Sequence, residues 1–77
     1  MANIEKIILK MKNQPNGISP KEADKVLTAK GYRFARQNGS HRNYINDNGD
    51  VITIVANKNP LKKVYIVEIL NRIGEKN

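Results

Sequence analysis

Tyr32-Arg33-Phe34-Ala35-Arg36-Gln37-Asn38-Gly39-Ser40-His41-Arg42-Asn43-Tyr44-Ile45 is the stretch on which the fold turns. Residues on either side of Asn38-Gly39 alternate with a period of two, and such a dipeptide between alternating runs is the strongest short-range signal for a β-hairpin. A second dipeptide of the same kind, Asn48-Gly49, precedes Val51-Ile52-Thr53-Ile54-Val55, whose β-branched residues suit a pleated strand. Two tight hairpins in succession predict a three-stranded antiparallel meander.

Reading both Asn-Gly pairs as two-residue loops sets a register. Arg36 then opposes His41, Phe34 opposes Asn43, and Tyr32 opposes Ile45. In the second hairpin Asn46 opposes Val51, Ile45 opposes Ile52, and Asn43 opposes Ile54. Opposed residues share a face. One face therefore collects Tyr32, Phe34, Ile45, Ile52 and Ile54, and is expected to meet the helices. His41 is placed at the rim of that core with Arg36 as its cross-strand neighbour. Arg33, Arg42 and Tyr44 are placed on the opposite face, where Tyr44 is available to stack on a base. A turn of three residues would slip the register by one position and exchange the faces.

Outward from the meander, the periodicity becomes helical. Upstream, Ser19-Pro20-Lys21-Glu22 has the form of a capping box with proline at the first helical position. Ala23, Val26 and Leu27 form an apolar face, and Gly31 supplies the stop. Further upstream, Ile4, Ile7, Ile8 and Met11 follow the i, i+3, i+4, i+7 pattern of one helical stripe, ended by Pro15-Asn16-Gly17. Downstream, Val64-Tyr65-Ile66-Val67 has strand propensity, but Ile66, Ile69, Leu70 and Ile73 make a helical stripe with Gly74 behind it. A helix is predicted there, because a sheet this small needs a covering layer. The expected fold is α+β. It has one domain over residues 1–77, with an N-terminal helix at 3–13 ahead of an α-β-β-β-α core at 19–74. That core order is similar to a double-stranded-RNA-binding domain, in which helices pack on one face of a three-stranded sheet.

The chain has 77 residues, fourteen Lys and Arg against seven Asp and Glu, and a net charge of +7. Its length leaves no room for a deep pocket, so a site must be open and built from few side chains. The positive field favours a polyanion or an acidic protein as partner. Absence of cysteine excludes disulfides and thiolate metal sites. No apolar run approaches the roughly 20 residues of a membrane-spanning helix. The first residues lack the layout of a signal peptide. A cytoplasmic protein with no membrane association is expected.

His41 is the single histidine. One imidazole serves acid–base chemistry without a metal, and it also fits a purely structural strand position. No second histidine or carboxylate cluster accompanies it to make a metal site; Asp47 and Asp50 flank a turn and read as turn formers. Gly39 reads as the turn residue with positive φ. Ser40 suits either a phosphate contact or a local hydrogen bond. Lys62 and Lys63 stand at the start of the last helix, where backbone N–H groups attract phosphate. They read equally as solvated surface lysines, as does Lys58 in the loop before them.

The segment Lys25-Val26-Leu27-Thr28-Ala29-Lys30-Gly31-Tyr32, followed by Arg36-Gln37-Asn38-Gly39-Ser40-His41, resembles the HicA toxin family over about Ser19 to Ile73. The shared features are a helix ending in a basic residue, glycine and an aromatic, then a Gly-Ser-His turn, a hairpin and a C-terminal helix. The resemblance implies the double-stranded-RNA-binding-like fold and the toxin role in a type II toxin–antitoxin system. It implies an endoribonuclease that cleaves mRNA without a cofactor or metal and is held in a complex by a HicB-like antitoxin. It assigns catalysis to His41, with Gly39 and Ser40 as its supporting turn. In that setting Arg36, Lys58, Lys62 and Lys63 are expected to bind RNA phosphate. Many members carry a proline and a second histidine after the third strand. Here Val55-Ala56-Asn57-Lys58-Asn59-Pro60 has neither at that place, so whatever that histidine contributes elsewhere is either dispensable here or supplied by Lys58 or another residue. Two other readings use the same basic surface: a non-catalytic RNA-binding module, and an interaction domain that docks an acidic protein.

Overall fold

The structure is a computed structural model, and it describes residues 3–75. In chain order it contains α1 (Ile4–Asn13), a 3-10 turn (Pro15–Gly17), α2 (Pro20–Ala29), β1 (Arg33–Asn38), β2 (His41–Ile45), β3 (Val51–Val55) and α3 (Lys63–Arg72). The three strands form one antiparallel sheet in the order β1-β2-β3. The fold is α+β, as the sequence predicts.

The first two helices are delimited by local chemistry. In α1 the Asn3 side chain accepts from the Lys6 N–H at 3.3 Å. Its stripe turns Ile8 and Met11 into the core and leaves Ile4 and Ile7 half-buried. In α2 both halves of the capping box form: Glu22 N–H donates to Ser19 Oγ at 3.1 Å, and Ser19 N–H donates to Glu22 Oε1 at 3.0 Å. Lys10 of α1 reaches the same carboxylate at 3.0 Å, tying the two helices together. The backbone hydrogen bond from Ser19 and the contact with Lys10 hold the Glu22 carboxyl below its ordinary range. Past the end of α2, Gly31 takes φ +90°, with its N–H bonded to Thr28 C=O and the Tyr32 N–H to Leu27 C=O. That pair of bonds is a Schellman motif, and it delivers Tyr32 into the core beside Leu27. The strand propensity of Val64–Val67 yields to the helical stripe: α3 buries Ile66, Ile69 and Leu70.

The register differs from the predicted one in both hairpins, by two residues beside the first turn, by one beyond the bulge in β1, and by one in the second hairpin. In the first, the loop is Gly39-Ser40 rather than Asn38-Gly39, and Asn38 pairs with His41. Gly39 takes φ +58° and Ser40 a negative φ, the pattern of a II′ turn with glycine at its first central position. In the second, Asn46 C=O accepts from Gly49 N–H at 3.1 Å, Asn46 N–H donates to Asp50 C=O at 3.1 Å, and Gly49 has φ +81°. This is a three-residue loop, a tight turn followed by a left-handed glycine. The Asn46 side chain secures it by accepting from the N–H groups of Asn48 and Asp50. Ile45 consequently pairs with Val51 and Tyr44 with Ile52.

The slip exchanges several residues between faces. Tyr44, predicted outside, is fully buried, and its hydroxyl donates to Asp24. Burial pushes the phenol well above its ordinary pKa, and the Asp24 bond adds to this. Ile45, predicted inside, lies on the outer face beside Val51. Arg42 points inward rather than outward. Its guanidinium stands 5.1 Å from the Phe34 ring centroid, 5.6 Å from that of Tyr44 and 3.8 Å from the Asp24 carboxylate. Phe34, predicted core, keeps to the inner face but sits at its margin, 48 % exposed. A bulge between Phe34 and Arg36 makes this possible, since three residues of β1 there span what two of β2 span. Tyr32, Ile52 and Ile54 are buried as expected. Together with Tyr44 they form one cluster with the buried residues of α1, α2 and α3. The helices thus cover one face of the sheet, and no residue on the other face is buried.

Candidate functional site

The uncovered face of the sheet is a small grid. Its end row is Asn38, His41 and Val55; the next is Arg36, Asn43 and Thr53; the third is Arg33, Ile45 and Val51. Residues in a row are cross-strand neighbours, and successive rows follow the two-residue period of the strands. The two rows nearest the first hairpin are polar but for Val55, whereas the third carries Ile45 and Val51.

His41 is the first residue of β2. The placement at the rim of the core is corrected here: its side chain is exposed, on the face away from the helices, with no hydrogen-bond partner among the described residues. Its cross-strand neighbours are Asn38 and Val55 rather than Arg36. Arg36 lies one row away on the same face and donates from Nη2 to Asn38 Oδ1 at 3.4 Å. The turn that carries His41 is held from two sides. Gly39 C=O accepts from Gln37 Nε2 at 2.9 Å, and Ser40 C=O accepts from Ala56 N–H at 2.7 Å. Ser40 therefore contributes through its backbone, extending the ladder to β3 beneath His41.

No motif marks Asn43 and Thr53 in the sequence as site residues. Thr53 Oγ1 donates to Asn43 Oδ1 at 2.6 Å, which leaves the amide N–H₂ of Asn43 free to donate on the open face. The place of Asn43 beside His41 follows from strand period alone, two residues along. That of Thr53 needs the true register.

The electrostatics separate two sets of cations. Glu22, Asp24, Asp47, Asp50, Glu68 and Glu75 each lie within ion-pair distance of a Lys or Arg. Arg36, Lys58, Lys62 and Lys63 have no carboxylate partner among the described residues. Lys58 is in the loop that leaves β3 just beyond Val55, the β3 neighbour of His41. Lys62 caps α3 and Lys63 begins it, both exposed; nothing bonds either of them to the His41 group. The shifted carboxylates are structural. Asp50 is held below its usual range first by the Tyr32 hydroxyl and then by Arg72, which itself bonds Glu68. Among the described residues no three His, Asp or Glu side chains gather as metal ligands.

The chain is a small α+β domain with one sheet face left uncovered by the helices and a single imidazole exposed there at the start of β2. The model of one family, described as the HicA toxin of bacterial toxin–antitoxin systems, matches residues 20–75, well over half of the chain. The chain belongs to the HicA toxin family. No curated protein and no solved structure gives a match. No helix among the described residues is long and apolar enough to cross a membrane.

Proposed function

We propose that this toxin is an endoribonuclease that cleaves mRNA with His41 and is neutralised by a HicB-like antitoxin in the cytoplasm. The observation that carries the reading is the exposed, unpartnered imidazole of His41 on an open face, beside side chains suited to phosphate. Attack of a ribose 2′-OH on the adjacent phosphorus needs proton removal and charge stabilisation, and neither requires a metal. In this mechanism His41 takes the 2′-OH proton, the new P–O bond closes a 2′,3′-cyclic phosphate, and the bond to the 5′-oxygen breaks. Solvent, which has free access to an open face, delivers the proton that the departing 5′-oxygen takes up. Arg36 and the unpaired Lys58 offset the charge that builds on the phosphate oxygens; Lys62 and Lys63 extend the positive field along the RNA. Gly39 and Ser40 act by setting where β2 begins.

The test is induced expression of wild type beside His41→Ala, following growth and total mRNA. Growth arrest and RNA loss with wild type alone, both proteins being folded, supports the reading. Equal RNA loss with both proteins removes His41 from the chemistry. RNA affinity that weakens with salt, without cleavage, would instead mark a non-catalytic binding module.

A further inference from the structure

β3 is one of the two edges of the sheet, and its backbone alternates in a way the hydrogen bonds settle. Asp50 C=O accepts from Asn46 N–H, and Ala56 N–H donates to Ser40 C=O. Bonded pairs alternate along an antiparallel ladder. Asp50, Ile52, Ile54 and Ala56 therefore turn their N–H and C=O groups toward β2, and Val51, Thr53 and Val55 turn theirs away. The outward C=O of Val51 accepts from Arg72 Nη1 at 3.1 Å. The outward groups of Thr53 and Val55 have no partner among the described residues.

Beside this edge runs a groove of about 310 Å³ between β3 and α3, lined by Val51, Ile52, Thr53, Val64, Tyr65, Glu68 and Arg72. Val64 is 65 % exposed and Val51 45 %. A strand edge with free donors and acceptors, next to a helix wall that exposes an apolar side chain at Val64, is the geometry by which sheets accept an added strand.

We propose that this edge and groove bind an extended, acidic segment of the antitoxin as a fourth strand of the sheet. The inference rests on the toxin reading above. Unpaired N–H and C=O groups at Thr53 and Val55 call for an extended polypeptide, since a helix has already used its own. The exposed valines call for apolar side chains on that polypeptide. Charge selects an acidic one. The single carboxylate in the groove, Glu68, is already bonded by Arg72 at 2.7 Å, and unpaired Lys62 and Lys63 open the helix whose first turn forms the groove wall. A second copy of this chain would bring a further net charge of +7 to an already basic molecule. RNA phosphates and riboses offer no repeating N–H and C=O pair to the strand. The added strand would lie two inter-strand spacings, roughly 10 Å, from β2. Its outward side chains would continue the row Asn38–His41–Val55 and close the approach to His41 without requiring a bond to it.

The test uses the toxin and its separately purified antitoxin. Amide hydrogen exchange is followed by NMR for the toxin alone and in the complex, and calorimetry gives the affinity. Two toxin variants are compared with wild type. Val64→Glu places a like charge in the groove at an exposed position. Val55→Pro removes an outward N–H while sparing the bonds to β2. The expected result is that the amides of Thr53 and Val55 exchange freely in the toxin and become protected in the complex. Each variant should weaken binding by about 30-fold or more. Tight binding with those two amides still exchanging freely overturns the proposal, as does unchanged affinity of Val64→Glu. Protection of the same amides by toxin self-association, or by RNA, assigns the edge to another occupant and overturns it too. No antitoxin binding at all removes the partner itself, whereas the growth and mRNA experiment reads the nuclease independently of this outcome.

Discussion

Tyr44→Phe removes a single oxygen and tests the register on which the site depends. The Tyr44 ring is fully buried, and its hydroxyl donates to the Asp24 carboxylate. A hydrogen bond to a charged group is worth about 1.5–3 kcal/mol. Asp24 keeps a second partner in Arg42 at 3.8 Å and its side chain is 38 % exposed, so water recovers part of the loss. The net cost expected is about 1–2 kcal/mol, at the low end of that range. For a domain of this length each kcal/mol moves the melting temperature by about 4–8 °C, so a fall of about 4–16 °C is expected. The assay is thermal unfolding by circular dichroism, with urea denaturation as a second measure. With the register of two Asn-Gly loops, Tyr44 would stand on the outer face and the substitution would cost under about 0.5 kcal/mol. A melting temperature within a degree or so of wild type would refute the placement of Tyr44, and with it the assignment of His41 to the open face.

Other expectations follow from the same contacts. Ser19→Ala removes the side-chain half of the α2 cap and should cost about 1 kcal/mol, read from urea midpoints. Glu22 has a depressed carboxyl pKa. Its contribution is fully present above its ordinary value of 4.5 and is lost as pH falls through the lower native value. Glu22→Gln should therefore flatten the acid limb of stability against pH while keeping an acceptor for the Ser19 N–H; an unchanged acid limb would disprove this source. Gly39→Ala forces a Cβ into φ +58° and should cost about 1–2 kcal/mol. It should also slow RNA cleavage by shifting the start of β2, so a full rate in the folded variant would deny the turn its positioning role. His41→Ala should leave the melting temperature unchanged, because the side chain is exposed and unbonded, while cleavage falls by about 10²- to 10⁴-fold.

The sequence alone determined the elements. Helix boundaries were legible because caps are local chemistry: Ser19 with Glu22, Pro20 at the first turn and Gly31 at the stop act within a few residues. The three strands were legible because glycine turns and a two-residue period mark them. Motif order was enough to expect the HicA resemblance, and the family match bears that out. The register lay beyond reach. Asn-Gly is compatible with loops of two or three residues, and in the first hairpin the loop formed one residue later, on Gly39-Ser40. The choice was made by contacts distant in sequence. Tyr44 gained a buried place and the Asp24 carboxylate of α2, Arg42 packed its guanidinium against Phe34 and Tyr44, and the bulge near Ala35 let Phe34 share their face. These side chains turned inward together, and because neighbours along a strand point to opposite faces, His41, Asn43 and Ile45 turned outward. The identity of the histidine was therefore written in the chain, whereas its exposure on an open face beside Asn43 and Thr53 was decided by the packing of residues on the other side of the sheet.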